Sequence, residues 1–170
     1  KTLETQNFTT ATDTHNTAVG YGAGTAITTG VKNAIVGSQA GDNYTTGEKN
    51  VAVGYDALTA DTQGRKNTAV GKGTLTTQNF STVTDSHNTA VGNDAGNDIT
   101  TGIQNTFVGS LAGDALTDAD YNVALGYAAL TSDTLGSKST AIGTFSLNTQ
   151  NFSTASDSYN VAVGYNSGSA

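Results

Sequence analysis

The pentapeptide Asn67-Thr68-Ala69-Val70-Gly71 constrains this chain more than any other feature, because close copies begin at Asn16, Asn33, Asn50, Asn88, Asn105, Asn122, Ser139 and Asn160. Each copy reads as a short extended segment ended by a breaker. Successive copies lie 17, 17, 17 and 21 residues apart, and the same spacings then recur, so four units make a 72-residue super-repeat. Residues 16–87 laid without a gap on 88–159 give 43 identities in 72 positions. One strand signal per unit, in units too small to enclose an apolar face of their own, predicts an all-β stacked solenoid or β-roll fibre. Residues 1–170 form a single repetitive segment: a partial unit at 1–15, then units starting at 16, 33, 50, 67, 88, 105, 122, 139 and 160. The sequence opens inside a 21-residue unit and closes partway through a 17-residue one, and is expected to be cut from a longer fibre.

Counting each unit from its Asn as place 1, places 2 and 4 share one strand face by the two-residue period. Place 4 holds Val19, Val36, Val53, Val70, Val91, Val108, Leu125, Ile142 and Val163, which are expected to form the structural core. Place 3, mostly Ala, points the other way, towards a close-packed surface such as a neighbouring chain. Place 5 is Gly20, Gly37, Gly54, Gly71, Gly92, Gly109, Gly126, Gly143 and Gly164, as a turn or a close backbone approach requires. Place 1 is Asn16, Asn33, Asn50, Asn67, Asn88, Asn105, Asn122 and Asn160. Coils stacked ~4.8 Å apart let these side chains bond one to the next as an Asn ladder. Place 9 alternates by unit, Gly24, Gly41, Leu58, Leu75, then Gly96, Gly113, Leu130, Leu147, so the super-repeat is also a packing pattern.

With 21 Gly, no Trp, no Met and 12% charged residues, the side chains suit a thin core. So few large apolar groups per unit cannot offset the ordering of 17 residues, which predicts association of copies, most simply a homotrimer. The absence of Cys excludes disulfides and thiolate metal sites. No stretch has the length and apolarity of a membrane span, so membrane insertion is not expected. The net charge is −7 and the sequence has no Lys/Arg cluster, Arg65-Lys66 being an isolated pair, which argues against nucleic acid.

Catalysis needs convergent, differently tuned groups, whereas this sequence supplies columns, so neither an enzyme nor a cofactor is expected. No metal ligand set is assigned. His15 and His87 share one place, where Tyr159 stands in the third copy, and read as surface positions; only around a three-fold axis could they gather an ion. The connection aspartates lack the Gly-rich pattern of calcium β-rolls. The column Thr28, Thr45, Thr62, Thr100, Thr117 and Thr134 raises an ice-binding alternative. Phe80 and Phe152, in the 21-residue units, are possible surface contacts that could meet a glycan, with apolar packing against the next chain as the competing role.

The motif Asn-Thr-Ala-Val-Gly-Tyr-x-Ala-Leu, a spacer, and Thr-Thr-Gly-x-x before the next Asn resembles the repeats of phage-type tail-fibre-domain proteins, and is similar to the head repeats of trimeric autotransporter adhesins. The resemblance covers essentially the whole chain. It implies a trimeric β-fibre outside the cell, either a tail-fibre shaft carrying a receptor-binding tip or an adhesin head of left-handed parallel β-roll, with a cell-surface glycan or protein as receptor. The adhesin unit is shorter, so the tail-fibre spacing fits better. The chaperone domain of many tail fibres and the coiled-coil stalk and anchor of adhesins are not within these residues. An ice- or carbohydrate-binding repeat module is the alternative.

Overall fold

A computed structural model describes residues 2–169, and these form a parallel β-solenoid without any helix. Each unit contributes one three-residue strand: β1 (Thr17–Val19), β2 (Ala34–Val36), β3 (Val51–Val53), β5 (Thr68–Val70), β7 (Thr89–Val91), β8 (Thr106–Val108), β9 (Val123–Leu125), β11 (Thr140–Ile142) and β13 (Val161–Val163). The two-residue strands β4 (Gly64–Arg65), β6 (Thr84–Asp85), β10 (Gly136–Ser137) and β12 (Ser156–Asp157) occur only where a 21-residue unit follows a 17-residue one. The nine longer strands pair in parallel, place for place, into one sheet; β4 pairs with β6 and β10 with β12. Every coil therefore lies in register on the next.

The sheet's faces are the reverse of the expected assignment. Place 3 points into the coil: Ile35, Ala52, Ala69, Ala90, Phe107, Ala124 and Ala141 are fully buried. Places 2 and 4 point outwards, so the expected core column is an external one: Val19 is 58% exposed and Val163 65%, Val36 and Leu125 are exposed, and Val53, Val70, Val91, Val108 and Ile142 are half-buried. The reason is width. The inward strand residue meets Ala23, Ala40, Ala57, Ala95, Ala112 or Ala129 of place 8 across a core too narrow for two branched side chains.

Size is exchanged between places within that core. Where place 9 is Gly, place 12 is large: Gly24 with Ile27, Gly41 with Tyr44, Gly96 with Ile99 and Gly113 with Leu116. Where place 9 is Leu, place 12 is polar: Leu58 with Asp61, Leu75 with Gln78, Leu130 with Asp133 and Leu147 with Gln150. Phe107 fills the space left by two glycines, Gly113 of its own coil and Gly96 of the preceding one. A Cβ on Gly96 would stand 2.6 Å from its ring, and one on Gly113 2.5 Å.

At place 5 the glycines are required twice over. Gly54 has φ +141°, and a Cβ there would overlap the carbonyl of Gly71 in the next coil, as would each of its counterparts from Gly20 to Gly143. Left-handed backbone also recurs where no glycine announces it. Place 9 adopts it in every unit, with φ near 55° at Leu58, Leu75, Leu130 and Leu147. The residue just before each place 1, Asn or Ser139, does the same, with φ between 50° and 63° at His15, Lys32, Lys49, Lys66, His87, Gln104, Tyr121, Lys138 and Tyr159.

Candidate functional surface

The Asn column is the internal brace that holds the outer surfaces in register. Amide-to-amide bonding was expected; instead each side chain joins two backbones. Asn33 Oδ1 accepts from the backbone N–H of Asn50 at 3.0 Å, and Asn33 Nδ2 donates to the Gly47 carbonyl of its own coil at 2.8 Å. Asn16, Asn50, Asn105 and Asn122 repeat both bonds. Between members of the column, the one amide-to-amide contact among the described residues is a long one, Asn105 to Asn88 at 3.4 Å. Asn88 adds Gln78 Oε1 at 2.8 Å, and Asn160 is held by Gln150 Oε1 at 2.7 Å.

A polar file runs through the core beside this brace. Asp61, fully buried, accepts from the Gly64 N–H at 2.9 Å and from Gln78 Nε2 at 2.7 Å. Asp133 accepts from the Gly136 N–H, the Phe152 N–H and Gln150 Nε2. Burial pushes the Asp61 carboxyl above the ordinary aspartate value against these hydrogen bonds, and pushes the buried Tyr44 hydroxyl well up, with the Asp61 charge adding to it. Asp114 and Asp120 are also raised by burial. These shifted groups stand at different places of the coil, 12, 10 and 16, and do not converge on one cleft.

Other expected positions resolve individually. Thr28, Thr45 and Thr117 donate their hydroxyls to carbonyls one coil on, and Thr62 and Thr134 donate to those of Phe80 and Phe152. Most of the Thr column is thus bonded within the stack rather than presenting hydroxyl protons to a flat external wall. Phe80 is 5% exposed and tucked against its own chain, which corrects the expected surface contact; Phe152 is half-buried, its ring lying over Gly136. His15 and His87 are exposed. Among the described residues no three His, Asp or Glu side chains gather as a metal site, and no helix is long and apolar enough to cross a membrane.

Two surfaces remain. The first is the outer face of the nine-stranded sheet, where every residue at places 2 and 4 is Thr, Ala, Val, Leu or Ile, so that nine rungs pass without a charge. The second is the aromatic corner at places 6 and 7. There Phe145 meets Tyr127 and Tyr165 edge-on, with centroids 5.4 and 6.2 Å away, and Tyr21 and Tyr55 are exposed on earlier coils. Sequence reading found the residues of the first surface but placed them inside.

No family model, curated protein or solved structure matches this chain.

Proposed function

We propose that this protein is a structural shaft segment of a homotrimeric attachment fibre, in a viral tail fibre or a bacterial cell-surface adhesin, working outside the cell to hold a receptor-binding element away from its base. One observation carries the reading: the uncharged Val/Thr face of the sheet, in register over nine coils, is left open by the single chain. A wall of this kind is what a soluble protein covers with a partner. A second copy of the same wall, matched rung for rung, is the simplest cover, and three copies about a common axis shield all three walls together. The repetition supports a spacer, since each coil adds length and the same brace recurs at every level. A glycan- or ice-binding role through the Thr column or the Phe bulges has less support, because most of those hydroxyls donate within the stack and Phe80 is buried.

Light scattering after size exclusion tests this. The expected mass is three times the 17.1 kDa chain. Val53→Asp with Val70→Asp, placed at the middle of the wall, is expected to dissociate the assembly. A wild-type chain that elutes folded at its single-chain mass at micromolar concentration would overturn the reading.

A further inference from the structure

The place before each Asn carries a second, separate message. Linear reading finds no cluster of bases, yet the 17-residue period stacks them. The Lys49 N–H bonds to the Val31 carbonyl, Lys66 to Glu48, and His87 to Arg65, so His15, Lys32, Lys49, Lys66 and His87 occupy five successive rungs of one ridge. Rungs of a sheet are ~4.8 Å apart. Higher on the same ridge stand Gln104, Tyr121, Lys138 and Tyr159, with Tyr121 50% and Tyr159 67% exposed.

Two facts make this composition more than chance loop chemistry. All nine residues hold left-handed backbone, a conformation that favours Gly, Asn and Asp and costs other residues roughly 1 kcal/mol. None of the nine is Gly, Asn or Asp. In addition, the chain has 14 acidic against 7 basic residues, yet no rung of this ridge is acidic. The flanking carboxylates are engaged where they approach: Glu48 with Arg65 at 3.0 Å and Asp85 with Lys66 at 2.6 Å. Lys32 and Lys49 are exposed and have no carboxylate partner among the described residues.

We propose that this ridge binds an extended acidic polysaccharide, its carboxylates or sulfates on the Lys file and its sugar rings against Gln104, Tyr121 and Tyr159. The rung spacing is close to the advance of one pyranose ring along an extended glycan, so Lys32 and Lys49 on successive rungs match two successive acidic sugars. Nucleic acid fits less well. Its phosphates call for a broad positive field with stacking platforms beside the cations, whereas here a single file crosses an acidic protein and the exposed tyrosines lie beyond it. The proposal is independent of the shaft reading, because the ridge lies outside the Val/Thr wall.

The test is binding of the full chain to a size-fractionated oligogalacturonate at low ionic strength, with neutral dextran and a single-stranded oligodeoxynucleotide as comparison probes. Expected are binding to the oligogalacturonate above both comparisons, a loss of about tenfold in affinity for Lys32→Gln with Lys49→Gln, and a shallower salt dependence. Lys72→Glu, which changes the net charge equally on another ridge, is expected to bind as wild type. All variants should keep the wild-type melting temperature. Absence of oligogalacturonate binding, equal binding by the double variant and wild type, an equal loss in Lys72→Glu, or tighter binding of the oligonucleotide would each overturn the proposal.

Discussion

Asn67 and Ser139 hold the same place one super-repeat apart, and they differ where the brace loses its acceptor. In the 17-residue units the Asn amide reaches the carbonyl fourteen residues on, but in a 21-residue unit that residue is drawn into the bulge. Asn67 Nδ2 is left buried without a partner, whereas the smaller Ser139 hydroxyl accepts from Gln150 Nε2 at 2.9 Å and pairs with Ser158. The one exception to the Asn column thus falls where the Asn cannot be fully satisfied.

This gives unequal expectations for two positions of one column. Asn50→Ala orphans the buried Asn67 N–H and the Gly64 carbonyl and is expected to cost about 3 kcal/mol. Asn67→Ser removes an unsatisfied donor but takes the acceptor from the Asn88 N–H, and is expected to cost about 1–2 kcal/mol. Urea unfolding at fixed protein concentration compares the two.

Glycine substitutions should divide by place. Gly54→Ala forces a Cβ into the Gly71 backbone, and soluble folded protein is not expected at 37 °C. At Gly22 a Cβ would meet nothing closer than 3.7 Å, and Gly22→Asn puts a residue tolerant of left-handed backbone where Gln39 and Asp56 already adopt it. Its melting temperature should remain near that of wild type.

A double-mutant cycle can examine the exchange of size in the core. Phe107→Ala opens a cavity and should cost about 3–5 kcal/mol. Gly113→Ala drives a methyl group into the same ring and should cost about 1–3 kcal/mol. Combined, the two are expected to destabilise by less than their sum, because the methyl group enters space the ring has vacated.

The buried Asp61 carboxyl sets a pH dependence of its own. Its folded pKa lies above the unfolded value of 3.8, so the native state binds the proton more tightly. That contribution favours folding fully below pH 3.8 and is lost as pH rises through the folded pKa. Asp85 and Asp157, lowered by hydrogen bonds from Lys66 and Lys138, act in the opposite sense, since theirs is present above the unfolded pKa and lost on acidification. In Asp61→Asn its share of the first trend is removed, leaving that of Asp114 and Asp120. The difference between the urea midpoints of wild type and variant should therefore change from acid to neutral pH, whatever the variant's absolute stability.

The stacking was legible because repetition is a one-dimensional signal. The Asn and Gly columns recur at fixed spacing, and their places in the coil follow from chemistry that only Asn and Gly supply. The inside and outside of the sheet were not legible, since ranking Val above Ala for burial presumes a wide core, and the narrowness here is set by the opposing Ala of place 8. Left-handed backbone at Lys49 or Leu58 leaves no compositional trace, because neither residue prefers it. The basic ridge was hidden for a different reason: Lys32, Lys49 and Lys66 are dispersed along the sequence and adjacent only once coiled.

The exchange between places 9 and 12 bears on how such a rod can change length. The polar residue at place 12 of each block's third coil is bonded to that of its fourth, Asp61 to Gln78 and Asp133 to Gln150, so a turn removed or inserted between them would leave a buried carboxylate without its partner. Growth or shrinkage that keeps these pairs and the order of the units takes place in whole 72-residue blocks, four rungs or roughly 19 Å at a time. The molecule is a ruler graduated in steps of four, and duplication of that block is the smallest event that lengthens it cleanly.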